Sequence, residues 1–401
     1  MPRLWTASNQ EILSGKVTDV YFTRTLRVLE NEGVRKRVVA EFVAKGFPDG
    51  WPWAVLAGMD EALELLKRLP VTVRGLPEGT IFRPWDVVLE IEGDYREFGV
   101  YETAILGFLC QASGIATQAA RCRLAAGDRL LVSFGARRMH PAIAPMIERS
   151  AYLGGCDGVA TVAAAEKLGI EPTGTMPHAL ILILGDCVEA TRAYERAMGP
   201  EVRLVSLIDT FNDEKFEAVR VAEALGDRLF AVRLDTPSSR RGSFKRIVEE
   251  VRWELDVRGF ERVGIFLSGG LTENDLRELR PLVQGFGVGT SISAARTVDF
   301  SMDIVEVEGE PRAKRGKRSG AKDVYGCPAC LATRVAPRGR RPADACPCGG
   351  AWEPWTVEWI REGRLVREPE PTDRVRERVL AQLRLLDALE APAGPGDEKG
   401  Y

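Results

Sequence analysis

Between Leu130 and Ser291 the chain alternates runs of β-type residues with stretches of helical periodicity, and each run ends in a small polar or glycine cluster. The runs are Leu130–Phe134, Val202–Ile208, Leu229–Leu234, Val263–Leu267 and Phe286–Val288. Apolar spacing over Glu214–Leu225 and Phe244–Arg258 predicts helices between successive runs. Strands joined by helical crossovers run parallel, so the pattern predicts an α/β fold, a parallel sheet closed or nearly closed into an irregular α/β barrel not resolved into eight clean units. The C-terminal strand ends of such a barrel form its chemically equipped face.

Either side of this region the pattern changes. Pro70–Gly93 reads as short strands broken by Gly/Pro turns, as in a half-exposed antiparallel sheet. Tyr101–Ala126 then takes up helical spacing, with Ile105, Leu109, Ala112, Ala116 and Ala119 on one face, and is expected to link sheet to barrel. After Glu308 comes the basic stretch PRAKRGKRSGAK, read as a solvated linker, and Thr372–Leu389 has the spacing of a final helix. A Pro/Gly/acidic tail follows, with the composition of a disordered segment. The expected organisation is an N-terminal helix and α/β sandwich domain over 1–120 and the barrel over 121–308. A linker and small C-terminal ribbon over 309–365 follow, then a helix and tail over 366–401.

Composition narrows the function classes. The 55 Lys+Arg residues nearly balance 58 Asp+Glu, leaving a net charge of −3, which argues against a nucleic-acid partner. Met1–Ser14 lacks the basic start and apolar core of a signal peptide, and no apolar run approaches the roughly 20 residues that span a bilayer. A cytoplasmic protein without a membrane partner is expected.

Four cysteines (Cys110, Cys122, Cys156 and Cys187) stand singly and read as small buried hydrophobes. The other four form two tight pairs, Cys327-Pro-Ala-Cys330 and Cys346-Pro-Cys348. Disulfides are disfavoured in a reducing compartment, and tetrathiolate on two knuckles fits structural Zn2+ better than an iron–sulfur cluster. Four thiolates leave no open position for water, so such a metal would hold a zinc ribbon together rather than catalyse. Trp352, Trp355 and Trp359 are expected to pack that ribbon against the rest of the chain.

The strand ends supply the candidate chemistry. Ser268, Gly269 and Gly270 in FLSGGL and Gly289 and Thr290 in FGVGTSI close successive strands, offering backbone N–H groups and helix N-termini to a monophosphate. Asp209 in LIDTFND and Asp235 in VRLDTP follow strands directly. Carboxylates there can accept ribose hydroxyls or help hold Mg2+ on a pyrophosphate, or each can cap the next helix; beyond Asp209 the better cap is Asp213. Arg233 sits inside an apolar run, where a cation is hard to explain as core. Arg137 and Arg138 either meet a carboxylate or phosphate or are solvated. His178 in GTMPH suits proton transfer or nucleophilic attack on phosphate, against the plainer structural reading taken for His140.

Together with TDVYFTRT (18–25), PEGTIF, VYETAIL, SGIAT and EPTGTMPH, these motifs resemble, in order, the nicotinate phosphoribosyltransferases, type II phosphoribosyltransferases, in the form that carries a four-cysteine ribbon. The resemblance implies an NAD-salvage enzyme converting nicotinate and phosphoribosyl pyrophosphate to nicotinate mononucleotide and pyrophosphate. Mg2+ would accompany phosphoribosyl pyrophosphate and ATP, and ATP would be hydrolysed through a phosphorylated His178. It implies Tyr21 and Phe134 as rings sandwiching the pyridine, and Arg137, Thr175 and Arg233 as nicotinate contacts. Asp209 and Asp235 would serve the ribosyl pyrophosphate and ring orientation, and Ser268, Gly269, Gly270, Gly289 and Thr290 the 5′-phosphate. One ring comes from a neighbouring subunit in such enzymes, implying a homodimer or larger homo-oligomer with shared sites. The segment RLDTPSSRRG departs from the RLDSGD-like sequence usual after Asp235. The alternatives are a quinolinate or nicotinamide phosphoribosyltransferase, or a non-catalytic zinc-ribbon interaction protein on a degenerate barrel. His178 argues against the quinolinate enzyme, and the intact strand-end set against the scaffold.

Overall fold

The structure, a computed structural model, describes residues 4–390. By internal packing the chain divides into two compact units, one combining residues up to Thr117 with those from Arg296 onward and the other holding Gln118–Ala295. Where the sequence reads as four successive segments, the C-terminal strands, ribbon and helix belong to the same unit as the N-terminal ones.

The first unit is built on a seven-stranded sheet. Arg37–Ala44 pairs antiparallel with Val87–Asp94 on one side and Phe300–Val307 on the other, while Thr72–Gly75 and Val357–Arg361 extend the sheet. One hydrophobic cluster gathers Phe42, Val73, Leu89 and Ile91 from these strands, Leu63 and Leu66 from the helix Met59–Leu66, and Ile105 and Leu109 from the helix Glu102–Ala126. Burying side chains of this size is the main stabilising term for the unit.

A row of charge crosses the same sheet. Asp303 stands opposite Glu41, Glu41 opposite Glu90, and Glu90 opposite Arg74. Adjacent carboxylates repel, and all three are buried. The basic stretch and Arg338 beyond it supply the counter-charges. Lys314 and Lys317 each reach Asp303 at 2.5 Å, Lys322 reaches Glu41 at 2.7 Å, and Arg338 pairs with Glu90 and Glu92. The solvated linker expected here is therefore corrected: the Lys317 side chain is only 1% exposed. Burial pushes the Glu41 and Glu90 carboxyls above their ordinary values against these cations. Burial also acts to raise Asp303, but Lys314 and Lys317 outweigh it and bring that carboxyl below its usual range.

Lys322–Gly326, Thr333–Pro337 and Glu353–Pro354 form a three-stranded ribbon sheet. Trp359 is buried in the main cluster and Trp355 packs against it. The helix Thr372–Glu390 is fixed by Gln382, whose side chain accepts from the Ile81 N–H at 2.9 Å and donates to the Gly79 carbonyl at 2.7 Å. The tail expected to be disordered falls, from residue 391 on, outside the described residues. Among the described residues no helix is long and apolar enough to cross a membrane.

The second unit carries six parallel strands: β1 (Leu130–Ser133), β2 (Gly158–Val159), β3 (Leu204–Leu207), β4 (Leu229–Leu234), β5 (Gly264–Leu267) and β6 (Gly285–Val288). Their order is β2-β1-β6-β5-β4-β3, so the sheet is an open half-barrel with β2 and β3 at its edges. Both β5 and β6 are buried along their whole length, as expected of parallel strands covered on both faces. The helices Glu214–Leu225 and Phe244–Asp256 form two of the crossovers, the first capped by Asp213 through the Lys215 N–H.

Candidate active site

Because the six strands are parallel, their C-terminal ends share one edge of the second unit. Across that edge, in sheet order, come Phe134 after β1, Gly289 after β6, Ser268 after β5, Asp235 after β4 and Asp209 beyond β3. The aromatic floor depends on missing side chains in β6. A β-carbon at Gly285 would lie 2.6 Å from the Phe266 ring, and one at Gly287 would collide with Phe134. The two rings lie 6.4 Å apart, centroid to centroid.

Arg233, the penultimate residue of β4, organises the centre. Its Nε donates to Ser268 Oγ at 2.9 Å and its Nη1 to Thr175 Oγ1 at 2.7 Å, and its guanidinium carbon lies 5.1 Å from the Phe134 ring centroid. Asp235 Oδ1 stands 3.6 Å from Nη2 and also accepts from Ser268 Oγ at 2.6 Å. Burial draws the Arg233 pKa down, Asp235 and Asp209 oppose that, and Arg137 adds to it. A charged, half-satisfied guanidinium beside an aromatic face suits a planar carboxylate-bearing ring.

His178 begins the helix His178–Leu184, and its Nε2 lies 3.2 Å from Asp209 Oδ1. The Asp209 side chain is 4% exposed and that of His178 38%. Burial raises the Asp209 carboxyl above its ordinary value, His178 works against that, and Asp235 adds to it. The line His178, Asp209, Asp235, Ser268 thus forms one interacting series, with Thr175 joined to it through Arg233.

Gly269 and Gly270 both have positive φ, +91° and +70°. A β-carbon on Gly269 would lie 2.9 Å from the Asp235 carbonyl oxygen, so the turn follows the β4 loop backbone closely. The helix after it, Glu273–Leu279, is closed by its own capping box, Thr272 with Asp275. That box takes up the N–H groups of Thr272 and Asp275 only, and Ser268 Oγ is committed to Asp235 and Arg233. Anion donors at this turn are its backbone N–H groups and the neighbouring Arg241 side chain, whose Nη1 reaches the Gly269 carbonyl at 3.2 Å. Gly289 and Thr290 open the short helix Thr290–Ser293.

Arg137 and Arg138 are exposed on the turn Ala136–Arg138. His140 has the structural role, its Nδ1 accepting from the Ala142 N–H at 3.1 Å. Tyr21 belongs to the first unit, on the helix Val20–Asn31, with 55% of its surface exposed and its ring 4.2 Å from that of Phe22. Phe266 and Arg241 are site neighbours that the sequence reading missed. The signal for Phe266 was the G-F-G spacing of β6, which leaves room for rings from adjacent strands.

The four ribbon cysteines place their Sγ atoms within 4.8 Å of one another. Cys327 to Cys348 is 3.5 Å and Cys330 to Cys346 3.4 Å, too long for S–S bonds and close to the edges of a tetrahedron with metal–sulfur bonds of about 2.3 Å. A β-carbon at Gly350 would stand 2.7 Å from Cys327 Sγ, so a side chain there would press into the thiol cluster.

The chain matches the family models for the quinolinate phosphoribosyl transferase N-terminal domain over residues 19–113 and C-terminal domain over residues 115–303. It is 52% identical to a solved structure titled nicotinate-nucleotide pyrophosphorylase from Pyrococcus furiosus, with 96% of this chain and 99% of that one covered and a TM-score of 0.94. The Mycobacterium tuberculosis nicotinate phosphoribosyltransferase pncB1 is 29% identical over 96% of this chain and 94% of its own length. Human nicotinic acid phosphoribosyltransferase, at 21% identity, shares the fold with a TM-score of 0.73 over 94% of this chain and 96% of that one.

Proposed function

The chain belongs to the type II phosphoribosyltransferase family, enzymes that act on pyridine bases, and on that premise we propose that it joins nicotinate to phosphoribosyl pyrophosphate, releasing pyrophosphate, in NAD salvage. The observation that carries the choice of base is the Arg233 cluster: one buried guanidinium, held by Thr175 and Ser268 over Phe134, reads one carboxylate. Quinolinate has two carboxylates; of the other arginines near the site, Arg137 and Arg138 are exposed and Arg241 is engaged at the Gly269 turn.

Loss of pyrophosphate from C1 leaves an oxocarbenium-like centre, which needs anchored reactants and nearby carboxylates more than a strong base. Arg233 and Phe134 orient the pyridine, Asp235 faces the guanidinium and the sugar, and Gly269 and Gly270 offer N–H groups to the 5′-phosphate. Bound Mg2+ would neutralise the pyrophosphate leaving group, and Asp209 and Asp235 are the carboxylates that would hold it. His178 is proposed as the residue that couples ATP. With its Nε2–H held by Asp209, Nδ1 keeps its lone pair and attacks the γ-phosphorus; the N–P bond forms as the bond to ADP breaks. A shared dimeric site contributing Tyr21 completes the reading.

The test is product formation from phosphoribosyl pyrophosphate with nicotinate, nicotinamide or quinolinate, with and without ATP. Nicotinate mononucleotide, raised by ATP, is expected; quinolinate turnover with CO2 release would overturn the choice of base.

For the ribbon we propose structural Zn2+, supported by the thiol tetrahedron. Purified protein should carry about one zinc per chain, and Cys330→Ser should lower both zinc content by elemental analysis and melting temperature. Full metal content in that variant would rule the assignment out.

A further inference from the structure

The Ser268–Gly270 turn has an electrostatic difficulty as a phosphate site. Asp235 is bonded to Ser268 at its start, and Asp275 completes the capping box with Thr272 just after it, so without a counter-charge a phosphate dianion would meet two carboxylates with only backbone N–H groups in its favour. A cation stands at this position. Arg241 Nη1 donates to the Thr236 carbonyl at 2.7 Å and the Gly269 carbonyl at 3.2 Å, and its guanidinium carbon lies 4.0 Å from the Phe244 ring centroid. Burial lowers its pKa while Asp275 and Asp235 act to raise it, so both carboxylates feel this charge. Nε and Nη2 have no hydrogen-bond partner among the described residues.

We propose that Arg241 is the residue that makes the Gly269–Gly270 turn selective for a phosphorylated ribose. It offsets Asp235 and Asp275, fixes the Gly269 carbonyl so that the following N–H groups face the ligand, and keeps Nε and Nη2 for phosphate oxygens. This rests on the reading of the site as a phosphoribosyl pyrophosphate site. Arg241 lies in TPSSRRG, the segment that departs from the RLDSGD-like pattern.

The experiment compares wild type with Arg241→Met, Arg241→Gln and Arg241→Lys for the KM of each substrate, kcat, and calorimetric binding of ribose 5-phosphate against ribose. Met and Gln should raise the KM for phosphoribosyl pyrophosphate about tenfold or more while that for nicotinate stays within about twofold, and Lys should recover most of the loss. Ribose 5-phosphate binding should weaken in parallel. Unchanged KM for phosphoribosyl pyrophosphate in Gln or Met, or equal losses for both substrates, would overturn the proposal. Should Met fail to fold, Gln carries the same test, since it keeps a polar group for the two carbonyls. A wild type that binds ribose 5-phosphate through Arg241 but transfers to no pyridine base would support this inference and overturn the proposed function.

Discussion

Replacing His178 with alanine should abolish ATP consumption during nicotinate turnover while leaving an ATP-independent rate of mononucleotide formation. The imidazole faces solvent in part, and its partner Asp209 is almost wholly buried. A buried carboxylate cannot easily move, so it fixes which ring nitrogen carries hydrogen and which stays nucleophilic. The ATP-stimulated component should fall by at least about 10²-fold, with ADP release measured alongside mononucleotide. Retained ADP release in the alanine variant would remove His178 from the coupling role.

Arg233→Met should be the most damaging single change at the base-binding end. Methionine keeps much of the stem's volume but removes the donors to Ser268 and Thr175 and the charge opposite Asp235. It would also leave Asp235 and Asp209 facing each other without a buried cation between them. We expect kcat/KM for nicotinate to fall on the order of 10³-fold, about 4 kcal/mol of transition-state stabilisation. The preference for nicotinate over nicotinamide should collapse with it. Arg233→Met with the preference intact would mean that another group reads the carboxylate.

Much of this edge was legible before any coordinates. The runs ending in Asp209, Asp235, Ser268 and Gly289 appear as strands within a residue or two, because parallel buried strands announce themselves as apolar runs with polar stops. Arg233 stood out as a cation inside such a run. The two-residue strand Gly158–Val159 did not, being too short for periodicity to show. Ser268 could be assigned to the right turn but not to the right partner: its neighbours Asp235 and Arg233 are 33 and 35 residues away in sequence. The linker was misread for a related reason. Lys317 and Lys322 look solvated by composition, and only the register that sets Asp303, Glu41 and Glu90 side by side creates the demand for them.

That register has a practical consequence for anyone seeking a smaller working fragment. The portion matched by the family domains ends at residue 303, an attractive place to stop a shortened chain. Such a fragment would keep the acids and discard every cation assigned to them from residue 314 onward, stranding carboxylates that were buried as ion pairs. The C-terminal quarter is better regarded as a resident counter-ion than as an accessory, and insolubility of the trimmed protein would report this deficit rather than any fault in its catalytic half.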